Sequence, residues 1–434
     1  MRAVILALLG MGVLLPATQD AALRDRVAQL VTKLGADAPA DRDAAEKALV
    51  ALGGKALPLL PPVGEKTDDA DREARLARVR TGLEEASEKT LLEASRITIV
   101  GQGIRLSDAL IELQKQSGNA LTDMREQYGA EASNPALDLD IKDKPFFEAL
   151  DTIAKLAGLG FDFQAGDGSI GLMPAGGMEA QQAIEPNEPK PTPLLQVVGP
   201  FRVELKQINS ERNLATGRAR CNAQFLVAWE PRLRPMLLTL KAENLEIVDD
   251  RGEKVAPEVM EESLTTVLRP ESPSADVYLN MVAPARAAQS LKTIKLKADV
   301  TLPAGIRQFR FPKLDAQNAT QVQGDVKLTL ESTTVEENVW RVAVVLEMPG
   351  EGPAFESYQQ GLFNNRLWLQ KADGSRFEHN GGFSTTSVSP GKLGFEYLFV
   401  DAPGKPSDYA FVYETPSRVL TLPLEVVFEN VPLP

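Results

Sequence analysis

Apolar and polar positions are most regularly spaced between residues 96 and 174. Ile97 and Ile99, and later Leu137, Leu139 and Ile141, alternate with polar residues, the period of half-buried strands. Leu106, Ala109, Leu110 and Leu113 then fall at i, i+3, i+4 and i+7, the stripe of a helix laid on a sheet. Phe146, Ala149, Leu150, Ile153 and Ala157 make a matching stripe. Ser107 is placed as an N-cap, with Asp108 in the first turn, where the helix dipole favours negative charge. Pro145 is placed at N1 of the second helix. Gly118 and Gly158 stand where a left-handed residue ends each helix, and Gly166-Asp167-Gly168 signals a hairpin. The two halves align at a fixed offset: Ile97 and Ile99 with Leu137 and Leu139, Asp108-Ala109-Leu110 with Glu148-Ala149-Leu150, Leu113 with Ile153, Gly118 with Gly158. The expectation is a small α+β domain, βαβ then βαββ, with two helices on one face of a sheet.

This pattern resembles the small secretin and TonB N-terminal (STN) domain of the Gram-negative-type cell envelope. The resemblance rests on residues 97–100, 106–113, 137–141 and 146–156. It implies protein–protein contact in the periplasm. Two features depart from the family: the loop over residues 122–135 is long, and no secretin pore or β-barrel sequence follows.

Upstream, residues 1–17 carry Arg2, an apolar run from Ala3 to Leu15, then Pro16-Ala17, the shape of a secretory signal. With cleavage after Ala17 or Gln19, residues 1–19 are read as a signal peptide; the alternatives are an uncleaved anchor or a buried first helix. Residues 20–62 are read as a helical hairpin. Leu23, Val27, Leu30, Val31 and Leu34 line its first helix, and Ala45, Ala48, Leu49 and Leu52 its second, which Asp41 or Asp43 opens. The phrase DRDAAEKALVALGGKALPLLPP resembles one HEAT-like repeat unit. Residues 63–95 follow as a long charged helix with a thin seam of Leu76, Val79, Leu83, Ser87 and Leu91. Such a seam serves a connector, a pairing surface, or a helix leaning on its own chain.

Residues 175–200, with Gly176-Gly177 and four prolines from Pro186 to Pro193, read as a linker. Beyond it short alternating runs read as β throughout, divided into sandwiches at 201–315 and 316–434. Turns are placed at residues 249–252 and at Pro303-Ala304-Gly305, and separate strands at 409–413 and 420–429. Each half has a strand, a long strand with one tryptophan (Trp229 or Trp340), then a strand entering an Asp/Gly turn. A tandem, duplicated pair of immunoglobulin-like sandwiches is expected. The whole layout resembles uncharacterised planctomycete-type secreted proteins.

Composition narrows the chemistry. The chain carries a net charge of −13 and no basic run, which argues against nucleic acid and anionic lipid as partners. One cysteine excludes an intramolecular disulfide, and one histidine removes most metal and acid–base sites. Gly101-Gln102-Gly103 sits between a strand and a helix but lacks the third glycine of a dinucleotide loop, since position 106 is leucine. Asp138, Asp140 and Asp143 lack the glycine bend and distal acid of a Ca²⁺ loop and read as a solvated strand face. His379 precedes the hairpin pair Asn380-Gly381, Cys221 reads as a buried hydrophobe, and Trp229, Trp340 and Trp368 as core. No catalytic, cofactor-binding or metal-binding residues are therefore assigned, and no cofactor. The expected role is a non-enzymatic periplasmic or secreted protein. Its STN-like domain would contact other envelope proteins, and its sandwiches would act as spacer or docking modules. The alternative is a carbohydrate or small-ligand binding module using the sandwich loops.

Overall fold

The computed structural model describes residues 16–61, 69–129, 133–175, 193–258, 263–348, 355 and 358–434. The signal-like residues 1–15 and most of the expected linker, 176–192, lie outside them. The chain forms two compact units, residues 1–90 and 91–434. Among the described residues no helix is long and apolar enough to cross a membrane.

The first unit is built from α1 (Pro16–Lys33), α2 (Pro39–Val50), a 3-10 turn (Gly54–Leu59) and most of α3 (Ala70–Leu92). Val27, Leu30, Val31 and Leu34 of α1 share one core with Ala45 and Leu49 of α2 and with Val79 and Leu83 of α3. The expected boundary between hairpin and charged helix is thus bridged by packing. Charge locks the same contact: Arg75 bonds Asp43 at 2.7 Å and Glu46 at 3.0 Å, and Arg78 bonds Glu46 at 2.8 Å. The start of α2 differs from expectation. It begins at Pro39, whose fixed φ and missing N–H suit the first turn, rather than at Asp41 or Asp43. Asp69 caps α3, its carboxylate accepting from the Asp71 and Arg72 N–H groups at 3.1 Å.

The second unit opens with β1 (Arg96–Arg105), α4 (Leu106–Ser117), β2 (Leu121–Asp123), β3 (Ala136–Pro145), α5 (Phe146–Ala157), β4 (Leu159–Asp162) and β5 (Ile170–Pro174). These elements do not share the single sheet expected. β1 and β3 pair antiparallel on their own, while β2 joins β5 and β4 in a second sheet. Both helices bury their stripes in one core with Ile97, Ile99, Leu137, Leu139, Ile141, Ile170 and Leu172. Ser107 is not the N-cap of α4. It lies inside the helix, and Asn134, from the loop before β3, caps the end instead: its Oδ1 accepts the Ser107 N–H at 3.0 Å, and its Nδ2 donates to Ser107 Oγ at 3.0 Å. Pro145 is the N-cap of α5, one place earlier than expected. In the described first part of the long loop Arg125 pairs with Asp123 at 2.6 Å and Tyr128 Oη donates to Asp162 at 2.7 Å.

Gly118 and Gly158 end α4 and α5 at φ +71° and +66°, with nothing within 4 Å of where a Cβ would stand. Gly158→Ala should therefore cost only the left-handed backbone penalty, about 1 kcal/mol. A urea titration of the full chain reads it, and an unchanged midpoint would refute it.

The β half comprises β6 (Leu194–Val198), β7 (Phe201–Arg212), β8 (Ala219–Trp229), β9 (Leu237–Asp249), β10 (Ser263–Val267), β11 (Ser274–Val282) and β12 (Ser290–Phe311). It continues through β13 (Ala319–Gln323), β14 (Val326–Glu336), β15 (Val339–Glu347), β16 (Leu367–Lys371), β17 (Arg376–Glu378), β18 (Phe383–Ser389), β19 (Lys392–Val400) and β20 (Tyr409–Pro432). Residues 194–198, assigned to the linker from the sequence, form the edge strand β6 on β7. Three sheets result: β11-β8-β7-β6, β10-β9-β12-β20-β16-β17 and β13-β14-β15-β19-β18. The halves occupy corresponding positions. β7, β8 and β11 of the first sheet match β14, β15 and β19 of the third, while β9 and β16 flank the central pair from opposite sides.

The central pair runs across the division expected at 315/316. β12 and β20 run antiparallel in one register, from Ser290↔Pro432 to Phe311↔Phe411, so the last strand of each half belongs to both. Leu424, Val426, Phe428 and Val431 of β20 pack in the first half's core, and Tyr409, Phe411, Tyr413 and Val419 in the second's. Pro303-Ala304-Gly305 is therefore not a turn. The strand runs through it, Gly305 adopting φ +82° opposite Ser417, whose Oγ lies 2.5 Å from where a Cβ would stand. Residues 409–413 and 420–429 are likewise parts of one strand.

Several sheet edges are closed by carboxamide side chains that copy a neighbouring strand. Gln116 accepts from Thr98 N at 2.8 Å and donates to Thr98 O at 2.9 Å. Gln196 does the same to Val427, Gln321 to Arg310 and Asn380 to Val400. Each covers unpaired backbone groups that would otherwise template intermolecular pairing.

Candidate functional site

The residues weighed from the sequence are dispersed. Gly101-Gln102-Gly103 lies within β1, which runs on to Arg105, and Gly103 N donates to Asp138 Oδ1 at 2.8 Å. Asp140 pairs with Lys142 at 2.7 Å, and Asp143 takes φ +48° in β3. Among the described residues no group of three or more His, Cys, Asp or Glu is arranged to hold a metal ion. His379 Nε2 lies 2.8 Å from Gly382 O, and its ring stands edge-on to Tyr397 and Phe399. Cys221 is buried, and that burial pushes its thiol above the usual range. Trp229, Trp340 and Trp368 are all buried, with the Arg376 guanidinium 4.3 Å over the Trp368 ring.

The polar chemistry gathers instead on the outer face of the β11-β8-β7-β6 sheet. Inner-face residues such as Cys221, Ala223, Phe225, Leu279 and Met281 fill the core, so their alternate neighbours face outward. One end of that face lies under the small α+β domain, since Leu226, Ala228 and Val197 pack into that domain's core. Here Arg202, only 8% exposed, lies 3.4 Å from Asp151 of α5 and 2.9 Å from Glu204, with its guanidinium 5.5 Å from the Phe161 ring. A cavity of about 440 Å³ opens beside them, lined by Lys144, Glu148, Asp151, Thr152, Leu195 and Val197.

Burial pushes the Asp151 carboxyl above its ordinary value, against the pull of Arg202. A raised carboxyl stabilises the fold most below its ordinary value of 3.8 and loses that contribution as pH climbs through the raised one. The stability of the wild type relative to Asp151→Asn should therefore fall as pH rises above 3.8. Denaturant titrations between about pH 3 and 7 test it; a pH-independent difference would refute the assignment.

A second anchor holds the same domain. Glu230 is fully buried just beyond β8. Its carboxylate accepts from Ser95 N at 2.8 Å, Ser95 Oγ at 2.6 Å, Asn119 Nδ2 at 3.0 Å and Arg232 Nε at 2.7 Å. Arg232 in turn donates its backbone N–H to Asn119 Oδ1 and a guanidinium N–H to Glu93 O. The hairpin between β4 and β5 adds a third anchor: Ser272 Oγ donates to Phe163 O at 2.8 Å, and Gly168 N to Glu271 O at 2.9 Å.

Among the described residues the other end of the sheet face is open. Asn209, Asn222 and Asn280 stand in register across β7, β8 and β11. Beside them Gln207, Gln224 and Tyr278 make a second row, and Glu211, Arg220 and Val282 a third. A cleft of about 560 Å³ lies over this area, bordered by Arg218 and Glu258. Asn222 Nδ2 donates to Asn280 Oδ1 at 2.7 Å, Gln207 Nε2 to Asn209 Oδ1 at 3.0 Å, and Gln224 Nε2 to Asp276 Oδ1 and Tyr278 Oη. A separate slot at the junction of the β halves, by Arg234, Pro270 and Asn365, holds only about 70 Å³.

Sequence reasoning missed Asp151, Arg202, Glu230 and the asparagine row, because each acquires its setting from partners tens of residues away. The one local signal was asparagine at strand positions that ordinarily favour β-branched or aromatic residues.

No family model and no curated protein matches this chain. A solved structure described as the conserved domain protein from Bacillus anthracis aligns over 54% of this chain and 89% of its own, at 7% identity and a TM-score of 0.18, too low to carry an argument.

Proposed function

We propose that this is a non-enzymatic, exported protein of the cell envelope that makes protein–protein contacts through its small α+β domain. In this reading that domain is STN-like, the helical hairpin HEAT-like, and the β halves immunoglobulin-like modules serving as the frame. The observation that carries it is the mounting of the small domain. Glu230, Arg202 and Ser272 hold α4's C-terminal end, α5 and the β4–β5 hairpin, while the outward side chains of β1–β3 are exposed among the described residues. Thr98, Asp138, Asp140 and Lys142 are exposed there around Val100, which is 53% exposed. A domain clamped on one side and exposed on the other suits presentation of a binding surface.

The test is a photo-crosslinking amino acid at position 100, with a matched control at the comparably exposed Val335 on β14, in the full chain in its native host. The reading expects one reproducible protein adduct at 100, absent at 335 and lost when Thr98→Arg is added. Equal adducts at both positions, or none at 100, would dismiss it.

A further inference from the structure

We propose that the open end of the β11-β8-β7-β6 face binds a neutral polysaccharide chain. Asparagine is depleted in strands, yet three stand side by side in one cross-strand row, with two glutamines in the next. A row that gives up strand preference without filling any core is where a binding role is expected. The side chains are also held in place. Gln207 bonds Asn209, Asn222 bonds Asn280, and Gln224 bonds Asp276 and Tyr278.

Those bonds leave the carbonyl oxygens of Gln207, Asn222 and Gln224 and the amide groups of Asn209 and Asn280 free to face solvent, among the described residues. Carboxamides both donate and accept, as sugar hydroxyls do, and so match a polyol better than an ion. Charge on the area balances, Arg218 and Arg220 standing with Glu211 and Glu258 and Arg220 bonding Glu258 at 2.8 Å. A chain at −13 does not attract polyanions. Tyr278 is 49% exposed and its hydroxyl is fixed by Gln224, which leaves a flat ring for a sugar face to stack on. Strands lie about 4.8 Å apart and same-face residues about 6.8 Å along each, so the amides form a two-dimensional grid under an extended chain. The ligand surface is thus a sheet face rather than the loops expected from the sequence.

The experiment is affinity electrophoresis of the full-length protein through gels containing cellulose derivative, xylan, mannan or β-1,3-glucan, with dextran sulfate as the polyanion control. The expected result is retardation by at least one neutral polymer that persists in about 0.5 M NaCl, where exposed charge contacts are screened. Tyr278→Ala, and separately Asn222→Ala with Gln224→Ala, should each weaken it at least about tenfold. Thr329→Ala, on another sheet, should leave it unchanged, and circular dichroism melts should stay within about 2 °C for every variant. Retardation by no neutral polymer overturns the proposal. So does retardation indifferent to the Tyr278 and Asn222/Gln224 changes, or retardation by dextran sulfate alone.

Discussion

Glu230→Ala is expected to cost about 3–5 kcal/mol of stability, because it deletes one partner of a buried ion pair and strands the other groups. Glu230 has no exposed surface, and Arg232 keeps only 15% of its side chain exposed. Without the carboxylate, the Ser95 and Asn119 donors also lose their acceptor inside the interface. Glu230→Gln keeps an acceptor for Ser95 but loses the charge, and should fall between wild type and alanine. Beyond the global cost, the damage should be localised. Urea unfolding of the alanine variant, with hydrogen exchange resolved by peptide, should show residues 95–175 losing protection before β7, β8 and β11. A loss below about 1 kcal/mol, or simultaneous loss of protection everywhere, would mean that Glu230 is not what fastens the small domain.

What the sequence disclosed follows the range of the interactions involved. The order strand–helix–strand, strand–helix–strand–strand over residues 96–174 is written in local periodicity and in two glycines, Gly118 and Gly158, whose left-handed φ is a property of single positions. The similarity of the two β halves was legible for the same reason. Partner choice was not. Nothing local in Ile97 or Leu121 tells β1 to pair only with β3 and β2 to join β5. The same limit hid Asn134 as the cap of α4, since it lies 27 residues from Ser107. Pro303-Ala304-Gly305 misled because proline and glycine usually punctuate strands. Here their partners on β20, Val419 and Arg418, hold the register across them, a fact stored more than a hundred residues away. Of the candidate surfaces, the asparagine row had a weak signal and the Asp151–Arg202 pair none. A charged residue in an amphipathic helix reads as solvated until something packs over it.

Removing residues 419–434 should unfold the first β half, residues 201–302, although the deleted segment begins more than a hundred residues downstream. Independent tandem sandwiches would predict the opposite, with the upstream half untouched. The deletion takes Leu424, Val426, Phe428 and Val431 out of the core that holds Phe225, Leu291, Ile294 and Val300, including the Phe225–Phe428 ring contact at 5.6 Å. It also strips β12 of its pairing from Ser290 to Pro303. Truncating one large buried side chain costs about 2–5 kcal/mol, so losing four costs about 8–20 kcal/mol, as much as the about 5–15 kcal/mol that holds a typical domain. Phe428→Ala gives the graded version, about 3–5 kcal/mol with the fold retained. Trp229 fluorescence and limited proteolysis report the first half, and Trp340 and Trp368 the second. The truncated chain should expose Trp229, and residues 201–302 should become protease-sensitive. Adding a synthetic peptide of residues 417–434 should restore protection, because β20 enters the first core as one strand in a single register. If the truncated chain instead kept residues 201–302 protected, the shared strand would be a seam between self-sufficient modules, and the continuous register of β12 and β20 would be a consequence of their packing rather than a condition for it.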